Sequence, residues 1–267
     1  GSHDTWAAVV GLGAMRPGFA YNISGTTEVL GLMSPADATA DGLLTIDWGG
    51  GLNQIGGPGQ NGADTARWLA ELLTRWRGEP VDVPATFETL LAQPRDKAPV
   101  LFLPLLQGER TPYWNPSMRG AFLGLNRRHG AGDLAWALLE GIALLNRDVL
   151  TRAETAAGIA CSEIRFGGGA AANRLWAQVK ADVCDRPVVV GTAGEPGLVG
   201  AAALAQVAAG TFASLEAAQA RMARPDRRYL PRADRRPFYD VLFGQFRRAV
   251  AELAPLSADL AHLETPI

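Results

Sequence analysis

The chain is poor in the residues that build metal sites and disulfide frameworks. Among its 267 residues are two cysteines, Cys161 and Cys184, in no metal-type spacing, and three scattered histidines, His3, His129 and His262. A Cys/His metal cluster is therefore not expected, and the sparse cysteine suits a reducing compartment. No run of 18 apolar residues occurs, and no signal-peptide pattern precedes the first elements. A soluble, cytoplasmic protein is expected, with no membrane partner. Lys and Arg total 25 against 27 Asp and Glu, so no field of one sign favours nucleic acid, and any polyanion must be held locally. A G-x-x-x-x-G-K-[ST] phosphate loop is also missing.

What the chain does have is 48% hydrophobic residues, enough for a core, and 31 glycines that cluster. The opening Gly1-Ser2-His3 has the look of a vector scar and also suits a native start; either way no preceding domain is expected within the chain. TWAAVVGLGAM predicts a helix ending near Gly13, with Pro17-Gly18 as the turn after it. FAYNISGTTEVLGLM reads as a hairpin with a hydroxyl-rich tip, and GLLTIDWGG as another strand. Trp48 to Gly62, with seven glycines, reads as a mobile loop. A helix from about Ala63 to Arg77 follows, its buried stripe being Trp68, Leu69, Leu72, Leu73 and Trp76.

A polar helix around Phe87 to Leu91 comes next. APVLFLPLL then gives a buried strand, followed by a proline-rich loop and a second strand-like segment. DLAWALLEGIALLNRDVLTRAETAAG predicts a long helix capped by Asp133 and closed near Gly158. RPVVVG is a strand, and EPGLVGAAALAQVAAG a helix whose small residues permit close approach to the sheet. Arg221 to Asp240 mixes seven arginines with aspartates and prolines and reads as a solvated surface segment. A final amphipathic helix runs through Phe243, Phe246 and Val250. Hairpins in the first half and strand–helix alternation in the second define an α/β class with a mixed sheet.

The stretch FGGGAAANRLWAQVKADV, from Phe166, carries the functional question. EIRF before it reads as a strand. Leu175, Val179 and Val183 recur at helical spacing after it, while Gln178, Lys180 and Asp182 mostly point elsewhere. A strand feeding a glycine turn and a helix N-terminus is a setting for anions and nucleotides. The turn fits G-x-G-x-x-A, but the dinucleotide reading lacks its acid about 20 residues on. A purely structural glycine turn remains the bland alternative.

Taken in order, LFLPLLQGERTPYWNPSMRGAFLGL, GDLAWALLEGIA, FGGGAAANRLWAQVKADVCDRPVVV and GLVGAAALA resemble the C-terminal, nucleotide-binding domain of the FGGY carbohydrate kinases. The resemblance runs from Asp4 to about Ala251. It implies a ribonuclease H-like domain of the actin-like ATPase type, with a mixed sheet flanked by helices. That domain would fill residues 1–267, with 221–267 as a C-terminal surface segment and helix. The implied reaction moves a phosphoryl group from ATP to a hydroxyl of a sugar, sugar acid or polyol. The N-terminal sugar-binding lobe would lie outside this chain, so no turnover is expected from the chain alone. Its apolar cleft surface leaves self-association open. A nucleotide-binding regulatory module without turnover is the competing reading.

By resemblance, Asp4 is the catalytic carboxylate that accepts the acceptor hydroxyl's proton. It would equally suit a helix N-cap. SGTTE resembles the phosphate-binding turn, with Gly25, Thr26 and Thr27, although Ser and Thr favour turns in any case. Gly62 resembles a glycine whose backbone lies against ATP phosphates. Gly168, Gly169, Ala170 and Asn173 match the adenine site, where bare backbone admits a flat base and the Asn amide meets its edge. Glu109 and Arg110 read as a structural charged pair near the cleft. Mg²⁺ is implied by phosphoryl transfer, with no direct ligand named.

Overall fold

The computed structural model describes residues 4–263 apart from 76, 77 and 79. Helix α1 (Asp4–Gly11) ends where Gly13 takes a positive φ of 75°. A hairpin of β1 (Phe19–Ser24) and β2 (Glu28–Ser34) follows, its tip at Gly25, Thr26 and Thr27. β3 (Leu44–Asp47) forms as expected.

The expected mobile loop from Trp48 to Gly62 is corrected in its middle, which is strand β4 (Asn53–Pro58), antiparallel to both β2 and β3. Glycine is required inside this strand by close approach. A Cβ on Gly56 would lie 2.2 Å from Leu30 O, and one on Gly57 2.3 Å from Thr111 Oγ1. The loop reading counted glycines and missed the ladder that excludes side chains.

Helix α2 (Asp64–Thr74) buries Thr65, Ala66, Leu69 and Ala70, while Leu72 is 56% exposed. The buried face is thus rotated from the stripe expected, and Trp76 lies outside the described residues. α3 (Val83–Leu91) starts on Asp82, whose carboxylate accepts the Ala85 N–H at 3.1 Å. β5 (Leu101–Leu103) and β6 (Ala121–Leu123) form a separate ribbon.

The 27-residue α4 (Ala131–Ala157) is buried along most of its length. Its N-cap is Gly130. Asp133, expected as the cap, instead sits in the first turn and accepts the Gly130 N–H at 2.8 Å, and Gly158 closes the helix in the left-handed conformation. β7 (Glu163–Gly167), a 3-10 turn at Gly169–Ala172, α5 (Arg174–Cys184) and β8 (Val188–Gly191) complete the strand–turn–helix–strand unit. α6 (Pro196–Ala208) and α7 (Leu215–Met222) follow. The small residues of α6, expected against the sheet, pack closely on helix α1 instead: a Cβ on Gly200 would lie 1.7 Å from Ala7 O.

The arginine-rich segment stays largely exposed but is ordered. It contains β9 (Pro225–Tyr229), antiparallel to β8, and Arg232 pairs with the buried Asp182 at 2.5 Å. α8 (Arg236–His262) buries Tyr239, Leu242, Phe246 and Val250.

Strand order in the seven-stranded sheet is β3-β4-β2-β1-β7-β8-β9, with β1, β7 and β8 parallel and the other pairs antiparallel. Side chains of β1 alternate between two cores. Ala20 belongs with α2, α3, α4, α5 and α8, whereas Tyr21 packs with Val9 and Leu12 at α1. The result is a mixed sheet with helices on both faces, the architecture expected.

Candidate functional site

β1 and β7 run parallel and both stop at one end of the sheet, at Ser24 and Gly167. Ligands of open α/β sheets gather at such carboxyl ends. There the hairpin tip closes through the Gly25 N–H donating to Thr27 O at 3.0 Å. The Ala63 N–H, at the start of α2, donates to Gly25 O at 2.8 Å. Only glycine fits at 62, since a Cβ would lie 2.4 Å from the Thr27 carbonyl carbon. Gly168 adopts φ 86° and ψ 177°, and its Cβ would fall 2.4 Å from Ser24 O. Three glycine segments remote in sequence therefore meet as bare backbone.

Gly169 has nothing within 4 Å of its Cβ direction and opens onto a cleft of about 640 Å³. Ala170, Asn173 and Trp176 line one side; Ala66 of α2 with Phe87 and Leu91 of α3 line the other. Asn173 caps α5, its Oδ1 accepting the Leu175 and Trp176 N–H groups at 2.9 and 3.1 Å. Its carbonyl oxygen is thereby committed, and the Nδ2 donors are what it has for a ligand. The apolar wall from α3 went unforeseen, although Phe87 and Leu91 stand at i, i+4.

Beside the tip lies a smaller hollow of about 230 Å³, lined by Thr26, Gly62, Asp64 and Asn61 among others. α2 begins there without a side-chain cap on Ala63, a setting that suits an anion. Glu109 is 3% exposed and holds the floor of this hollow: it accepts the Gln60 N–H, the Asn61 Nδ2 at 3.0 Å and the Arg110 N–H at 2.9 Å. Burial raises its pKa, with those hydrogen bonds and the Arg110 charge opposing. Arg110 donates to Gly59 O at 2.6 Å. Both charged residues thus fix the Gly59–Gly62 loop, in keeping with a structural role.

Asp4 stands exposed at the start of α1, its Oδ1 accepting the Thr5 N–H at 2.6 Å. It reaches this end of the sheet through α6. A Cβ on Gly167 would lie 3.1 Å from Pro196 Cγ, and one on the adjacent Gly197 4.0 Å from Asp4 O. Gly25, Thr26, Thr27, Gly62 and Gly168 are brought together directly; Gly169, Ala170 and Asn173 form the neighbouring cleft wall; Asp4 stands at the edge. Among the described residues no group of three or more His, Cys, Asp or Glu could hold a metal ion, and no helix is long and apolar enough to cross a membrane.

An antiparallel hairpin and third strand, joined to two parallel strands by a long helix across one face, define a ribonuclease H-like lobe of the actin-like ATPase type. The gluconate kinase of Lactobacillus acidophilus has the same fold, with TM-score 0.83, 24% identity, and coverage of 95% of this chain and 51% of that one. Residues 20–209 match the family model described as "FGGY family of carbohydrate kinases, C-terminal domain". The chain belongs to this family. It is 37% identical over 239 residues to a glycerol kinase of Geobacter sp. (strain M21), covering 87% of this chain and 47% of that protein. To the xylulose kinase of Escherichia coli (strain K12) it is 36% identical over 178 residues, covering 66% and 36%. The chain spans about half the length of the glycerol kinase it matches.

Proposed function

We propose that residues 1–267 form the ATP-binding lobe of a carbohydrate kinase, which transfers the γ-phosphoryl group of ATP to a hydroxyl of a sugar, sugar acid or polyol. The observation that carries this reading is the meeting of the Gly25–Thr27 tip, Gly62 and Gly168 beside an apolar cleft. Backbone N–H groups and the Thr26 and Thr27 hydroxyls hold phosphate oxygens, and the uncapped start of α2 adds its positive end. The base lies against Gly168, Gly169 and Ala170, with Asn173 Nδ2 at its edge. Asp4 orients the acceptor hydroxyl and takes its proton. The acceptor's own binding lobe lies outside these residues, so the chain alone has no turnover and works in the cytoplasm as part of a larger enzyme.

Mg²⁺ fits this site as an ion held chiefly by phosphates and water, because the hollow beside the tip offers the oxygen donors of Asp64 and Thr26. Asp64 and Thr26, which line the hollow beside the tip, would reach it through water. When bound, the ion offsets charge on the transferring phosphoryl group.

Calorimetric titration with ADP or a non-hydrolysable ATP analogue plus Mg²⁺, beside a Gly169→Asp control, tests the reading. Saturable binding to the native chain and loss in the control are expected. Equal affinity in both would overturn the assignment of the cleft.

A further inference from the structure

Lys180 was expected to point away from the core, and instead it is 1% exposed. Its Nζ lies 2.5 Å from Glu28 Oε1, donates to Asn146 Oδ1, and sits 5.0 Å from the centre of the Phe166 ring. Glu28, 3% exposed, also accepts the Asn22 Nδ2 at 2.8 Å. The cluster therefore ties β1, β2, α4 and α5 together in the interior. Its two charges lie at informative places. Glu28 is the residue directly after Thr27, on the far side of the hairpin tip, and Lys180 is on the helix that Asn173 caps.

A buried ion pair is a poor source of stability, since apolar residues of similar volume often do as well or better. Here the cluster is also incompletely satisfied: Glu28 Oε2 and Asn22 Oδ1 are buried without a partner, as is Ser24 Oγ, whose residue stands opposite Glu28 in the ladder. All three belong to the strand ends that carry the tip. An arrangement that gains little stability and leaves three polar atoms unpaired is explained by the geometry it enforces. The pair, at 2.5 Å, joins the start of β2 directly to α5, and a directional charge-assisted hydrogen bond specifies one relative placement, whereas the hydrophobic effect is non-directional.

We infer that Glu28 and Lys180 are positioning residues, which set the Gly25–Thr27 tip at a fixed height over the Gly168–Asn173 turn so that phosphates and base are received together. The inference rests on the proposed nucleotide site. It assigns to the pair a selective effect on phosphate recognition, because Glu28 directly adjoins the tip whereas Lys180 lies one turn beyond Trp176, the last residue of α5 that lines the cleft.

The test is titration of the purified chain with adenosine and, separately, with ADP plus Mg²⁺, for the native protein, Lys180→Met, Glu28→Asp and the double variant Glu28→Gln/Lys180→Met. Native binding of both ligands establishes the site independently of the pair. Glu28→Asp keeps both charges and draws the carboxylate back by one methylene, so it guards against simple failure to fold, checked by thermal unfolding. ADP affinity is expected to fall at least tenfold in the single variants, with adenosine affinity within twofold of native. The double variant, which leaves no stranded charge, is expected to regain part of its melting temperature but not its ADP affinity. Adenosine and ADP affinities that fall in parallel, or an unchanged ADP affinity in folded Glu28→Asp, would overturn the positioning role. A native chain that binds neither ligand would overturn the nucleotide reading itself, and the pair's role with it.

Discussion

Neighbouring glycines at 168 and 169 should answer the same alanine substitution in opposite ways. Gly168 has φ 86° and ψ 177°, a region that is essentially glycine-only and costs another residue about 1–3 kcal/mol. Its added Cβ would also stand 2.4 Å from Ser24 O. Ordinary contact begins near 3.4 Å, so the turn or the end of β1 must move by about 1 Å, an overpacking cost of about 1–3 kcal/mol. Together Gly168→Ala should lose about 2–6 kcal/mol, a large part of a typical domain's stability. Gly169 has open space where its Cβ would go, so Gly169→Ala should stay within about 0.5 kcal/mol of native. The new methyl faces the cleft, and nucleotide affinity should fall severalfold while stability holds. Urea denaturation with an unchanged m-value reads the first effect and calorimetric titration with ADP the second. A Gly168→Ala protein as stable as native would refute the close-contact account of the turn, and so would a Gly169→Ala protein destabilised to the same degree.

Three further outcomes are expected. Gly200→Ala places a Cβ 1.7 Å from Ala7 O, so α1 and α6 must separate; a loss of about 3 kcal/mol should appear as a lower melting temperature, and proteolysis should begin near Asp4. Hydrogen bonds from Arg128 and then the Ala98 N–H hold Asp96 down from 3.8 to about 2. Their stabilising share is present above 3.8 and lost as pH falls toward about 2, so Asp96→Asn should flatten that part of the urea-midpoint profile. Asp4→Asn should leave ADP affinity of the chain within twofold of native, while phosphoryl transfer by the complete enzyme falls about 100-fold or more, as measured by coupled ADP release.

Much of the fold was legible because local signals agreed with it. The SGTT tip, the capped and glycine-closed α4, and the strand–glycine–helix unit at Phe166 each combine a periodic run with its own stop signal. Within the candidate site, the bare-backbone positions Gly62 and Gly168 stand out in sequence because the first comes just before a helix start and the second directly after a strand end. The cleft wall from α3 was not legible. Phe87 and Leu91 show helical spacing, but nothing local says whether such a stripe faces the core or a ligand. The amide oxygen of Asn173 was similarly ambiguous, since one residue type serves both a helix cap and a nucleobase edge.

The two clear misreadings, β4 as a loop and Lys180 as pointing away from the buried stripe, have a common physical origin. In each, the residue type is dictated by a partner far away in sequence. Gly56 and Gly57 are bare because Leu30 O and Thr111 Oγ1 occupy the space, and Lys180 is buried because Glu28 faces it across 152 positions. Register shows how far this extends. Gly31 of β2 pairs with Gly56 of β4 on one side and with Tyr21 of β1 on the other, and a Cβ on Gly31 would meet the Tyr21 ring at 2.8 Å. A strip without side chains thus crosses adjacent strands and runs along β4 toward Gly59 and Gly62. Gly56, Gly57 and Gly59, which look like part of a mobile loop in sequence, are the packed support of the loop that meets the hairpin tip, whereas Gly49, Gly50 and Gly51 meet nothing within 4 Å. Their removal should therefore act on the site as well as on the sheet.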